Sequence, residues 1–405
     1  MDIQTEINGT SEQVIKVQEK FSRVFGDSSN SQMILSPASL ILLGDHTHYN
    51  EGILISTAIN RYYVIQIKKR NDRIINLASA DSDDVIVKSF SLTEIPSVSE
   101  NGFKTITCLI KKLYHERLIN AGFDCMISST VPECIGLGVS ASLEIGFISA
   151  IKKVFKLSTE MKSLFQIVKK NDLEIIGKIT NIAHYFTIKY NKIGRLVFTD
   201  LRSMDYKTMP LPGTEIDIVV CNTQEEILNP RDTCNERITE CEVGVKGLRL
   251  YIWGIKNLRD VELEFLLRHY HMLPKKIFSR VLYNVKERIR AEDAIRFIKQ
   301  RSLVNFGKCI TESHWNLSED YEISCDNSDY IVRESAKLEG VYGSKMISCS
   351  PIKSTFHLVD KSESDNFIEK ITNLYREKFG TELITYKFNL TPGVKEIPSK
   401  KLQLM

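Results

Sequence analysis

No Cys-x-x-Cys pair occurs among the nine cysteines, so neither a zinc module nor a disulfide framework follows from their spacing. An odd number of scattered thiols fits a reducing compartment. No run of about 18 apolar residues is present, which excludes a membrane helix. The opening stretch MDIQTEINGTSEQ has no apolar core of a secretory signal, and the expected location is the cytoplasm. Charge of one sign is missing as well: Lys+Arg 54 against Asp+Glu 51 leaves a net +3. Without a basic stripe, the clusters at Ile67–Arg70 and in SKKLQLM read as solvated faces, and no nucleic-acid partner is expected. Internal repeats and low-complexity linkers are also absent. What remains is 405 residues at 42% hydrophobic and 26% charged, a globular balance with length enough for two cores.

Periodicity supplies the elements. Val14, Ile15, Val17, Phe21 and Val24 predict a helix over Glu12–Phe25, and alternation predicts strands at Tyr62–Lys68, Phe123–Ile127 and Glu215–Cys221. Helices are expected over Ser142–Phe155, Asp260–Arg268, Val281–Arg301 and Asp365–Phe379, the last with Ser364 as N-cap and Gly380 as stop. Strands and helices mix in both halves, and the Pro210–Gly213 turn separates them. This predicts an α+β chain of two domains, 1–208 and 209–405.

One loop has a chemical reading of its own. In VPECIGLGVSASLE, Val131–Glu144, Gly136 and Gly138 let backbone N–H groups approach a polyphosphate, and a helix starting near Ser140 adds its positive dipole end. By itself a G-L-G before a helix is more often an ordinary loop.

SPASLILLGDHTHYNEG, Ser36–Gly52, aligns without a gap with the galactokinase sugar signature A-P-G-R-V-N-L-I-G-E-H-T-D-Y-N-G-G. The Val131–Glu144 loop resembles that family's V-P-x-G-x-G-L-S-S-S-A-S-L-E. AINRY at Ala58, CNTQ at Cys221, NERITECE at Asn235, TESHWNLSEDYEISC at Thr311, GVYGSKM at Gly340 and TPGVKEI at Thr391 resemble further family segments in order. The chain therefore resembles the galactokinase branch of the GHMP small-molecule kinases. That resemblance implies a two-domain GHMP fold with mixed and antiparallel sheets, packed helices and a cleft between the domains.

The residues that differ sit where the family's chemistry lies. Ser39 replaces the arginine. His184, in GKITNIAHY, replaces the aspartate base. Asp45 stands for a glutamate, His46 matches, His48 stands for an aspartate, Asn181 for a glycine and Cys234 for a pocket tyrosine. By carry-over Gly136, Gly138, Ser140 and Ala141 would hold nucleotide, and Ser140 with Glu144 would hold magnesium, so Mg-ATP is the implied cofactor. The glycine-rich segment M-T-G-G-G-F-G-G-C-T-V becomes MISCSPIKSTF at Met346–Phe356, which contains Pro351 and no glycine.

Phosphoryl transfer needs a base, positive charge on the moving group and a bound Mg-nucleotide. A serine supplies no such charge, and Arg195 or Lys178 is the candidate to reach in instead. The expectation is an impaired or inactive galactokinase with a ligand-sensing or partner-binding role, with galactose a poor ligand. A second reading is an active, diverged sugar kinase with His184 as base. A third is a transition-metal site built from His46, His48, His184 and Cys234.

Overall fold

Alternating apolar residues become paired strands in this computed structural model, which describes residues 7–96, 103–177, 181–213, 215–227, 230–348 and 350–398. In chain order the strands are β1 (Gln32–Leu43), β2 (Ile53–Lys69), β3 (Ile74–Ser79), β4 (Val87–Ser91), β5 (Phe123–Ser129), β6 (Arg195–Asp200), β7 (Asp205–Pro210), β8 (Ile216–Glu226), β9 (Val341–Ile347), β10 (Ile352–Asp360), β11 (Ile384–Phe388) and β12 (Lys395–Ile397). The first sheet runs β12-β1-β2-β5-β3-β4, with β6 pairing β2 and β7 pairing β6. The second runs β11-β8-β10-β9. All pairings are antiparallel except β3 with β5. This is the α+β arrangement that the sequence predicts.

The division at 208/209 falls inside β7, and β12 returns from the far end of the sequence to pair with β1. The first sheet is therefore not made from the first half of the chain alone. Two helices also differ from their predicted bounds. Only Leu263–Arg268 is helical in the 260–268 stretch, because Asn257 caps a short turn over Leu258–Asp260 first. The long helix spans Lys275–Lys299. Ser364 lies inside its helix, not at the cap, and its hydroxyl donates to Asp217 at 2.8 Å. Gly380 does stop that helix, at φ +70°.

Two packing arrangements position the cleft. The register of β1 against β2 shifts between Pro37 and Ala38, where a proline cannot donate to the ladder. Just before that shift, the Val139–Val154 helix is fastened to β1 reciprocally: Ser36 Oγ donates to the Ser142 carbonyl at 2.6 Å and Ser142 Oγ donates to the Ser36 carbonyl at 3.0 Å. Gly146 permits the contact, since a Cβ there would lie 2.6 Å from Ser36 Cβ. The helix start is thus held above Ser39.

At the outer edge of the second sheet, the helix Leu303–Glu319 covers β9. Thr311 Oγ1 accepts from the Ser344 N–H at 3.1 Å and His314 Nδ1 accepts from the Met346 N–H at 3.2 Å. Edge-strand donors that would otherwise be exposed are paired by side chains. His314 Nδ1 is therefore the acceptor, which puts the ring proton on Nε2, 3.2 Å from Asp329.

Buried histidines make the second sheet acid-sensitive. His357 on β10 is fully buried between Ser344 Oγ and Thr355 Oγ1, and burial pushes its pKa down to about 3, with His314 adding a smaller push in the same direction. Burial lowers His314 too, against the opposing pull of Asp329. The unfolded chain then binds protons from about pH 6.5 downward while the folded chain refuses them. Stability is expected to fall as pH drops from about 6.5 toward 3, by up to ~1.4 kcal/mol per pH unit for His357. Denaturant melts across that range should show the slope, and His357→Gln should flatten it.

Candidate functional site

Ser39 and His184 meet. Ser39 on β1 reaches the helix Ala183–Tyr190, and its Oγ lies 2.7 Å from His184 Nδ1. Gly138 closes over both: a Cβ there would fall 2.6 Å from Ser39 Oγ and 2.8 Å from His184 Nδ1. Its φ of +65° is itself a glycine conformation. The Ser39 N–H donates to the Leu137 carbonyl at 3.1 Å, so the loop is sewn directly to β1.

A cavity of about 440 Å³ opens in front of this pair. Every predicted sugar-side residue lines it: Asp45, His46, His48, Asn181, Cys234 and His184. So do Gly136, Gly138, Ser140 and Ala141 of the phosphate-type loop. Ser39 does not, because it sits fully buried behind Gly138. His46 takes a left-handed backbone, φ +58°, which brings its Nδ1 to 3.1 Å from the Tyr49 hydroxyl. Tyr49 in turn meets Tyr321 OH at 2.5 Å.

The lining's own side chains carry acids and no strong cation, and the buried Lys345 behind it pairs with one of those acids, Asp45. Asp45, Glu133 and Asp172 are in the lining, and among its residues there is no lysine or arginine. Arg195 does not replace the missing cation: its guanidinium is turned to Thr208 on β7, at 3.1 Å to Oγ1 and 2.7 Å to the carbonyl. Lys178 lies outside the described residues.

Glu144 is not a ligand facing the cavity. It is fully buried, Asn171 donates to its Oε1 at 2.6 Å, and burial followed by the nearby Asp172 carboxylate pushes its pKa well up. A neutral Glu144 that donates to Asp172 is the consistent state. The transition-metal reading of His46, His48, His184 and Cys234 is not supported either: among the described residues no group of three or more His, Cys, Asp or Glu side chains could hold a metal ion. His46 and His48 have ring centroids 6.3 Å apart at an interplanar angle of 44°.

The substituted segment Met346–Phe356 packs against the loop. A Cβ on Gly136 would strike Ile347 Cγ2 at 2.5 Å and Ser350 Cβ at 3.2 Å, so the face of Gly136 is already covered. The Ile352 N–H donates to the Cys134 carbonyl at 3.0 Å, and the Pro351 carbonyl accepts from the Ile227 N–H at 2.7 Å. The loop is clamped from β1 on one side and from this segment on the other.

Two site residues escape a sequence reading. Asp172 lies on the helix Met161–Ile176, where Met161, Leu164, Phe165 and Val168 form the buried stripe. That stripe continues onto Asn171 and Asp172 at helical spacing, a signal that marks them as buried polar groups. Tyr185 OH donates to Asp172 at 2.6 Å. The other is Lys345 on β9, fully buried, whose ammonium pairs with the Asp45 carboxylate and reaches the Leu42 carbonyl at 3.3 Å.

Comparison with known proteins agrees with this geometry. Residues 19–69 match the galactokinase galactose-binding signature, and residues 104–187 match the GHMP kinases N terminal domain. The chain is 26% identical over 382 residues to a galactokinase of Roseiflexus sp. strain RS-1, covering 94% of this chain and 97% of that one. It is 28% identical over 390 residues to a galactokinase of Clostridium acetobutylicum, covering 94% and 98%. A crystal structure of Lactococcus lactis galactokinase complexed with galactose superposes with a TM-score of 0.86 at 25% identity, covering 94% of this chain and 98% of that one. Methanococcus jannaschii mevalonate kinase shares the fold at a TM-score of 0.63 and 19% identity, over 90% and 99% of the two chains. Among the described residues no helix is long and apolar enough to cross a membrane.

Proposed function

From the premise that this chain is a galactokinase-like member of the GHMP kinase superfamily, we propose that its cleft is a ligand cavity in which ordinary galactokinase chemistry is impaired or absent. The observation that carries this is the Ser39–His184 hydrogen bond, 2.7 Å long and shut behind Gly138. A transferring phosphoryl group carries negative charge that must be matched by cations. Ser39 brings none, its hydroxyl is committed to His184, the buried cation Lys345 is spent on Asp45, and no lysine or arginine lines the cavity.

His184 alone does not restore the reaction. Its Nδ1 is engaged by Ser39 and does not face a substrate hydroxyl as a free base. A positioned base contributes about 10²–10⁴-fold, and the missing transition-state cation is a separate loss of similar or greater size. The lining also fails to fit a magnesium triphosphate in the family pose. The backbone N–H groups at the start of the Val139–Val154 helix remain, but Ile347 and Ser350 crowd the side of Gly136 where a Cβ would sit, and Glu144 is held neutral. A sugar-like neutral ligand suits the cavity better: Asp45, Asn181, His46 and His48 bring hydrogen-bonding groups to its lining.

ADP release with Mg-ATP across a monosaccharide panel tests this, beside Lactococcus lactis galactokinase as control. Release no greater than about 1% of the control rate is expected, from the roughly 10²-fold cost of either loss. A monosaccharide should nevertheless raise Tm without nucleotide, because selective binding stabilises the folded state. Turnover of any monosaccharide at the control's rate would overturn the reading.

A further inference from the structure

A second concavity, of about 200 Å³, lies against Tyr49 and Ile238, the same two residues that help wall the cleft. The helix Pro230–Leu248 presents Ile238, Cys241, Glu242, Val245 and Lys246 to it, a spacing that places them on one helical face. The segment that follows brings Arg249, Lys256 and Asn257 to the same space. Three cations thus converge where the neighbouring cleft has none.

The cations are not neutralised. Nearby Arg237, Lys276 and Arg280 all pair with Glu240, whereas Lys246, Arg249 and Lys256 have no ion-pair partner among the described residues. Glu242 is the single acid in the lining. Arg249 is held in place without a carboxylate: its Nε donates to the Ile255 carbonyl at 2.8 Å and its Nη2 to the Lys256 carbonyl at 3.1 Å. Asn257 spends its carbonyl on Arg259 N–H at 3.0 Å and on Arg202 at 3.1 Å, which leaves its amide N–H₂ as a donor.

A fixed guanidinium, two exposed ammonium groups and an amide donor beside an apolar wall are what a compact, multiply charged oxyanion requires. The volume admits a phosphate group with a small organic body and is too small for a polymer chain. We propose that this pocket binds the phosphate dianion, either as free phosphate or as a phosphate monoester whose body lies on Tyr49 and Ile238. The site stands apart from the kinase reading and does not depend on it.

Isothermal titration of the full chain with inorganic phosphate, and separately with glucose 6-phosphate, tests this at constant ionic strength in chloride. Saturable binding of at least one is expected. Lys246→Gln/Lys256→Gln should weaken it about tenfold or more, and Lys246→Glu/Lys256→Glu should abolish it. Both lysines are exposed, so an unchanged Tm verifies the fold of each variant. Equal affinities for the two probes assign free phosphate as the ligand; tighter binding of the ester assigns the monoester. Absence of saturable binding to both probes, or wild-type affinity in both double variants, overturns the proposal.

Discussion

Replacing Lys345 by methionine is expected to lower the unfolding free energy by about 3–5 kcal/mol, the cost of leaving one member of a buried ion pair alone. The Lys345 side chain has no solvent exposure and Asp45 has only 9%. Removing the ammonium leaves the Asp45 carboxylate without its cation in a cavity that already contains Glu133 and Asp172. The pair also ties the two sheets together, since Lys345 is on β9 and Asp45 follows β1 in the other sheet. Urea denaturation of Lys345→Met should show a large fall in midpoint with little change in slope. The double variant Asp45→Asn/Lys345→Met removes both charges, so it should recover most of the loss. A double variant as unstable as the single one would mean that packing around the lysine stem, and not charge, sets the cost.

The order of elements was legible because apolar period survives without knowledge of partners: β2, β5 and the helix ending at Gly380 fall where alternation and helical spacing place them. The site was legible as a set of positions. Asp45, His48, Asn181, His184 and Cys234 could be named from motif frames, and the fold brings them to one cavity. Their physical states were not legible. That Ser39 and His184 bond to each other depends on a fold that brings together positions 145 apart in sequence and on the bulge after Pro37. Glu144 reads as an ionised ligand until its neighbour Asp172 is known, and only burial beside a second carboxyl makes it neutral. Lys345 looks like an ordinary strand charge, and its partner lies 300 residues away. Ser364 failed as a cap for the same reason, because Asp217 competes for its hydroxyl. Conversely, NERITECE and TESHWNLSEDYEISC proved to be two sides of one contact: Arg237 pairs with Glu240 and donates to the Tyr321 carbonyl at 2.9 Å.

Gly307→Ala is expected to be as damaging as the loss of Lys345, about 3–5 kcal/mol, from overpacking plus two backbone donors left unpaired. A Cβ at Gly307 would lie 1.9 Å from the Tyr342 carbonyl oxygen and 2.4 Å from its carbon. The obstacle is backbone, so no rotamer change relieves it. Gly343 faces the same contact from β9, where an added Cβ would lie 2.4 Å from the Gly307 carbonyl oxygen. Helix and strand approach this closely because both residues lack side chains. The approach in turn sets the reach of Thr311 and His314 to the Ser344 and Met346 N–H groups. Pushing the helix outward by the distance a methyl group needs would open both hydrogen bonds and expose the β9 edge. Lys345 lies between those two donors in sequence, so the same movement would draw it from Asp45 and disturb the cleft. Hydrogen exchange should report the mechanism: in Gly307→Ala the amides of Ser344 and Met346 lose protection before those of β8, which is internal to the sheet. Protection lost equally across the sheet would place the damage elsewhere than at this edge.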